Sequence, residues 1–73
     1  MTLSEAFGKV INDILKEKGQ SKLQFAKTSG ISRRNLHRII AGETSPTLET
    51  IDLIAKSLKI SPGKLILTAS DLK

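Results

Sequence analysis

Three arginines and the only histidine of the chain fall within six residues, as Arg33, Arg34, His37 and Arg38. A guanidinium is a planar fork of donors that fits a guanine edge or a phosphate equally well. No carboxylate stands among them. Residues 18–42 hold six basic side chains, Lys18, Lys22, Lys27, Arg33, Arg34 and Arg38, and no acidic one. The other six basic residues are offset by seven acidic ones, so the formal net charge of +5 is concentrated in the central third of the chain. A concentrated basic segment in a small domain points to an anionic partner.

Other chemistries lack their residues. The 73-residue chain has no cysteine, which removes disulfides, thiolate catalysis and cysteine metal sites together. One histidine cannot make a histidine-rich metal site. A catalytic base needs an orienting partner, and the neighbours of His37 are arginines. No two carboxylates flank the basic segment to hold a metal, and Glu43 stands alone. The expectation is a protein that is not an enzyme, with no cofactor and no metal. Apolar runs such as Ile39–Ala41 and Leu65–Leu67 fall far short of the ~20 residues that span a bilayer, so no membrane partner is expected. Ser4, Glu5 and Lys9 interrupt the early apolar residues before a secretion signal can form. With the lack of cysteine, this places the expected site of action in the cytoplasm.

The basic residues must be positioned by helices, because apolar residues recur at helical spacing almost everywhere. Leu3, Phe7, Val10, Ile11, Ile14 and Leu15 follow the i, i+3, i+4, i+7 pattern, with a Thr2–Glu5 capping box before them and Gly19 after. They predict a first helix over about 3–18. Ser21 and Gln24 form a second capping box, and Leu23, Phe25 and Ala26 precede Gly30, giving a short helix over about 21–28. Ser32 caps a third helix that runs to about Ile40 and stops at Gly42. Thr44 and Ser45 belong to the following loop, free to cap or to bind phosphate, whereas Thr47 reads as the cap of a fourth helix. That helix carries an apolar stripe of Leu48, Ile51, Ile54, Ala55 and Leu58. Ser61-Pro62 opens a fifth helix over about 62–67, and the tail from 69 to 73 is expected to fray, with Leu72 able to dock. Phe7 and Phe25 sit on apolar stripes and are expected in the core, which leaves no aromatic for stacking RNA bases. The fold class is therefore all-α, a compact bundle of five short helices in one domain over 1–68.

The second and third helices, with their tight turn, read as a helix-turn-helix. Ala26 is small enough for close helix approach, Gly30 suits a turn with positive φ, and Leu36 with Ile39 points inward. On a wheel of about 100° per residue with Arg33 at the origin, His37 lies at about 40°, Arg34 at about 100° and Arg38 at about 140°. Leu36 and Ile39 lie opposite, at about 300° and about 240°. A solvated structural helix normally mixes acids into its exposed face for i,i+4 pairing. This face has none.

The residues from Ser21 through the Ala26–Gly30–Ser32 turn to Arg33–Gly42, then Ser45–Ile51 and Ile54–Pro62, resemble the lambda-repressor-like, or Xre/Cro-type, helix-turn-helix DNA-binding domains of bacteria and phages. The resemblance covers about residues 5–67. It implies base contacts for Arg33, Arg34 and Arg38 and a phosphate contact for Ser32. Lys22 stands where the family usually has a phosphate-anchoring glutamine, and would reach phosphate as a point charge. Ile40 replaces a common glutamate, and Gln20 an apolar residue whose space is left to Leu23.

These readings give a sequence-specific regulator of transcription, a repressor, bound to double-stranded DNA. Lys27, Asn35 and His37 join Lys22 and Ser32 as backbone contacts, although Lys22 and Lys27 read equally as solubilising charges and Asn35 as helix support. One recognition helix reads only a few base pairs, so a homodimer on a palindromic site is expected. Its surface would be Leu65, Ile66, Leu67 and Leu72, unless Leu65 and Ile66 simply close the core. The alternative is a protein-binding module, such as an antitoxin or adaptor, on the same fold. Such an interface favours aromatics or mixed charge over three arginines.

Overall fold

A hydroxyl residue opens every helix of the computed structural model, which describes residues 1–73. Thr2 caps α1 (Leu3–Lys18), Ser21 caps α2 (Lys22–Ser29) and Ser32 caps α3 (Arg33–Ile40). Thr47 caps α4 (Leu48–Leu58), and Ser61 caps α5 (Pro62–Leu72), which has Pro62 in its first turn. Each side-chain oxygen accepts the backbone N–H three residues on, at 3.1 Å in all five cases. These bonds satisfy donors that have no partner inside the helix. The boxes at α1 and α2 are closed in the other direction too. Thr2 N donates to Glu5 Oε1 at 2.7 Å, and Ser21 N donates to Gln24 Oε1 at 3.3 Å. The Thr2 backbone N–H, helped by its hydroxyl, holds the Glu5 carboxyl below its ordinary pKa.

Three helices end with the same pair of bonds. Gly19 and Gln20 donate to Lys16 O and Leu15 O, Gly42 and Glu43 to Ile39 O and Arg38 O, and Lys59 and Ile60 to Lys56 O and Ala55 O. The turn needs a residue of positive φ. α4 supplies Lys59 at φ 59°, the one residue other than glycine in that region. A Cβ is disfavoured there, so Lys59→Gly is expected to stabilise the domain by about 0.5–1 kcal/mol. A higher urea midpoint at constant m-value checks this; an unchanged or lower midpoint refutes the strain.

α1 packs against α3 and α5, α2 against α3 and α4, and α4 against α5. The shared core centres on Phe7, Ile11, Phe25, Leu36, Ile39, Ile54 and Leu65, all essentially inaccessible to solvent. Burying the two phenylalanines stabilises the fold by roughly 2–3 kcal/mol each. α3 is thus gripped between α1 and α2 by its Leu36–Ile39 face. No helix is long and apolar enough to cross a membrane.

Three expectations need correction. The fifth helix does not stop at 67 but runs to Leu72, because the apolar spacing continues from Leu65 to a buried Ala69. Residues 69–72 form helix rather than a frayed tail, and Lys73 N donates to Ala69 O at 3.0 Å to close the last turn. Leu48 is 80% exposed, because it is the first residue of α4; Ile51, one turn on, is half-buried and the buried stripe begins at Ile54. Leu23 is 44% exposed on the outer arc of α2 and does not fill the space of Gln20, which is itself half-buried.

Candidate nucleic-acid interface

The turn between α2 and α3 determines how the basic helix is presented. Gly30 adopts φ 79°, and its N–H donates to Ala26 O at 3.1 Å, closing α2. Ala26 is buried, as its size allows. The buried Ser29 completes the turn. Its Oγ donates to Ala26 O at 3.4 Å and accepts from Ile31 N at 3.3 Å. Ile31 is itself buried, so without Ser29 Oγ its N–H would lose its partner. Ser29→Ala is therefore expected to cost about 1–2 kcal/mol. Thermal unfolding tests this, and an unaltered midpoint would show that the hydroxyl is dispensable.

α3 presents the arrangement drawn on the wheel. Leu36 and Ile39 face the core and Ile40 is half-buried, while Arg33, Arg34, Asn35, His37 and Arg38 are exposed. Ser32 is exposed at the head of this helix, with its Oγ engaged by Asn35 N. Lys22, the first residue of α2, is half-buried, and Lys27 is exposed further along the same helix. The single ion pair of the structure, Lys9–Asp13 at 3.6 Å, lies within α1. None of the six basic residues in 18–42 has an intramolecular counter-charge. No three metal-ligating side chains come together.

The other end of α3 is fixed by a residue that the spacing rules passed over. Gly8 lies on the buried face of α1, against the last turn of α3. A Cβ there would press on Ile39 O and lie 2.5 Å from Ile40 O. α1 and α3 can touch this closely only because that Cβ is absent. Gly42, at φ 76°, is similarly tight, with a Cβ position 2.9 Å from Glu5 Cγ. Ser45, left open between capping and phosphate binding, shares a 2.7 Å hydrogen bond with Ser4, while Thr47 caps α4 as expected. The first turns of α1 therefore clamp the C-terminal end of α3 and its following loop. A signal for Gly8 was available. It falls on the stripe three residues before Ile11 and seven before Leu15, where a mid-helix glycine implies close packing.

The fifth helix divides the residues expected at a dimer surface. Leu65, 1% exposed, belongs to the core and cannot contact a partner, and Ile66 is half-buried against the core. Leu67 and Leu72 remain open at 62% and 42%.

An exposed basic helix set on a second helix by a tight turn, held by the Gly30 and Ile31 N–H bonds, is the helix-turn-helix arrangement. The chain belongs to the helix-turn-helix family HTH_3, whose model matches residues 11–65, from α1 into α5. The restriction-modification controller protein C.AhdI from Aeromonas hydrophila is similar in structure, with a TM-score of 0.80 and 27% identity over 85% of this chain and 94% of that one. An HTH_3 family transcriptional regulator from Vibrio cholerae gives 0.83 and 27%, over 96% of this chain and 39% of the other. The clp gene regulator ClgR from Corynebacterium glutamicum shares the fold at a TM-score of 0.90 and 21% identity, over 99% of this chain and 77% of that one. No curated protein matches the chain.

Proposed function

We infer that the protein is a DNA-binding transcriptional regulator that reads a specific duplex site with α3 in the major groove. The observation that carries this is the exposed face of α3, with three arginines, no acid and no ion pair, held rigidly by α1 and α2. Arg33, Arg34 and Arg38 contact base edges, where a bidentate guanidinium discriminates guanine. Lys22, Lys27, Ser32, Asn35 and His37 contact sugar and phosphate and fix the register. The protein acts as a repressor by occupying its site in the bacterial cytoplasm, encoded by a bacterium or a phage. The structural neighbours named as a restriction-modification controller protein and as an HTH_3 family transcriptional regulator support this reading.

Two copies bind as a homodimer to a palindrome, joined through Leu67 and Leu72 of α5 with Ile66 at the margin. The basic composition of α3 weighs against the alternative of a protein-docking module, which would place aromatics or mixed charge there. Selection of bound duplexes from random DNA at defined salt tests the reading. A palindromic consensus, and a protein mass that doubles with concentration, are expected. Binding without sequence preference would make the protein a nonspecific binder, and a monomer at every concentration on a single half-site would remove the dimer.

A further inference from the structure

We propose that the DNA-binding surface continues beyond α3, over the outer face of α2 to the C-terminal end of α1, and that this strip holds the phosphate backbone of DNA flanking the recognised site. The proposal rests on α3 reading a duplex. It adds Lys18, Gln20, Gln24 and Thr28 to the interface, none of which belongs to the helix-turn-helix reading face.

Two shallow depressions, which share Lys27 as a border, make up the strip. The first, of about 450 Å³, lies beside the turn over Leu23, Ala26 and Ile31, with Lys27, Ser32 and Arg33 as its polar border. The second, of about 420 Å³, is lined by Lys18, Gly19, Gln20, Gln24, Lys27 and Thr28, with no apolar side chain. The surface therefore passes from Arg33 to Lys27 to Lys18 without an acidic residue. Glu17, the neighbour of Lys18, lies along a different groove, between α1 and α5.

The polar lining of the second depression selects its occupant. Ammonium, amide and hydroxyl groups are the side chains that contact phosphate and sugar. The capping box sharpens this for Gln24. Its Oε1 is occupied by Ser21 N, so the side chain is oriented with its amide Nε2 as the free donor. Neither lysine is ion-paired, since the only ion pair lies elsewhere. A protein partner would be expected to find an aromatic or large apolar anchor in the second depression, and there is none. Continuity with the α3 face, and the match of charge to a polyanion, favour duplex DNA.

The test compares two duplexes, the selected consensus trimmed to its conserved base pairs and the same consensus with about one helical turn added at each end. Wild-type protein should bind the longer duplex more tightly and with the steeper salt dependence. Each phosphate neutralised contributes about 0.9 to the slope of log K against log salt, about eightfold per decade of salt. Lys18→Gln should lower the slope by about one unit on the long duplex and leave the trimmed one unchanged. Lys9→Gln, off the strip, should change neither. Both lysines are exposed, and equal melting temperatures of the variants confirm an intact fold. Identical slopes for Lys18→Gln and wild type on the long duplex overturn the strip while leaving the α3 reading in place. A Lys18→Gln loss that appears equally on the trimmed duplex overturns the assignment to flanking DNA. Failure of wild type to select any consensus removes both readings together.

Discussion

Gly8→Ala should destabilise the domain by about 2–3 kcal/mol, the largest loss expected from adding a single methyl group to this chain. The added Cβ meets backbone carbonyls of Ile39 and Ile40, which cannot rotate aside, so α1 and α3 must separate. Overpacking of this kind costs about 1–3 kcal/mol, occasionally more, and the upper end applies where the obstacle is backbone. The helix propensity gained by replacing glycine offsets about 1 kcal/mol, and the collision outweighs it. A domain this small holds only about 5 kcal/mol in total. The melting temperature should therefore fall by roughly 10–20 °C. Gly63→Ala is the internal comparison. It is also a helical glycine, but nothing lies within 4 Å of its Cβ position, and it should stabilise by about 0.5–1 kcal/mol. If both variants move the midpoint in the same direction by the same amount, the α1–α3 contact is not what restricts residue 8. Because the same contact sets the pose of α3, Gly8→Ala should also weaken DNA binding at temperatures where it remains folded.

Arg34→Ala and Lys22→Ala should fail in different ways. Arg34 lies on the exposed arc of α3. Its loss should cost about 1–3 kcal/mol on the selected site and relax preference at one base position. The penalty should nearly vanish on unrelated DNA. Lys22 is the first residue of α2, and in the proposed complex it contacts phosphate and no base edge. Lys22→Ala should weaken binding to all duplexes alike and reduce the salt slope by about one unit. Titrations of both variants against the selected site and a scrambled duplex, at several salt concentrations, separate the two. Parallel losses on every sequence from both variants would show that the arginines act only as charges.

The basic face was legible because period alone determines it. Once Leu36 and Ile39 are assigned to the core, Arg33, Arg34, His37 and Arg38 have only the opposite arc available. The helix starts were equally legible, since each is marked by a hydroxyl residue that satisfies the N–H three residues on. What the spacing rules missed depends on contacts between distant segments. The length of α5 rests on Ala69, a small residue that carries little hydrophobic signal until α1 is laid against it. Leu23 and Leu48 fit apolar patterns, yet lie at the edges of their helices where no partner covers them. The Ser4–Ser45 bond joins residues 41 positions apart, beyond the reach of any local rule. Ser29 is intermediate. Its place before Gly30 is visible, but its two hydrogen bonds appear only once Ile31 has folded back.

The measurement that bears most directly on the function is the ratio of affinities for the selected site and a scrambled duplex of equal length, taken at near-physiological salt. The sequence-independent contacts to phosphate are common to both duplexes and cancel in the ratio, which leaves the discrimination between sequences, and the arginine replacements show how much of it α3 supplies. A ratio on the order of 10³ or more is expected for the dimer, collapsing towards one when Arg33, Arg34 and Arg38 are replaced by alanine. A wild-type ratio near one, with tight but salt-sensitive binding to both duplexes, would contradict sequence-specific recognition and leave only a basic surface that binds any DNA.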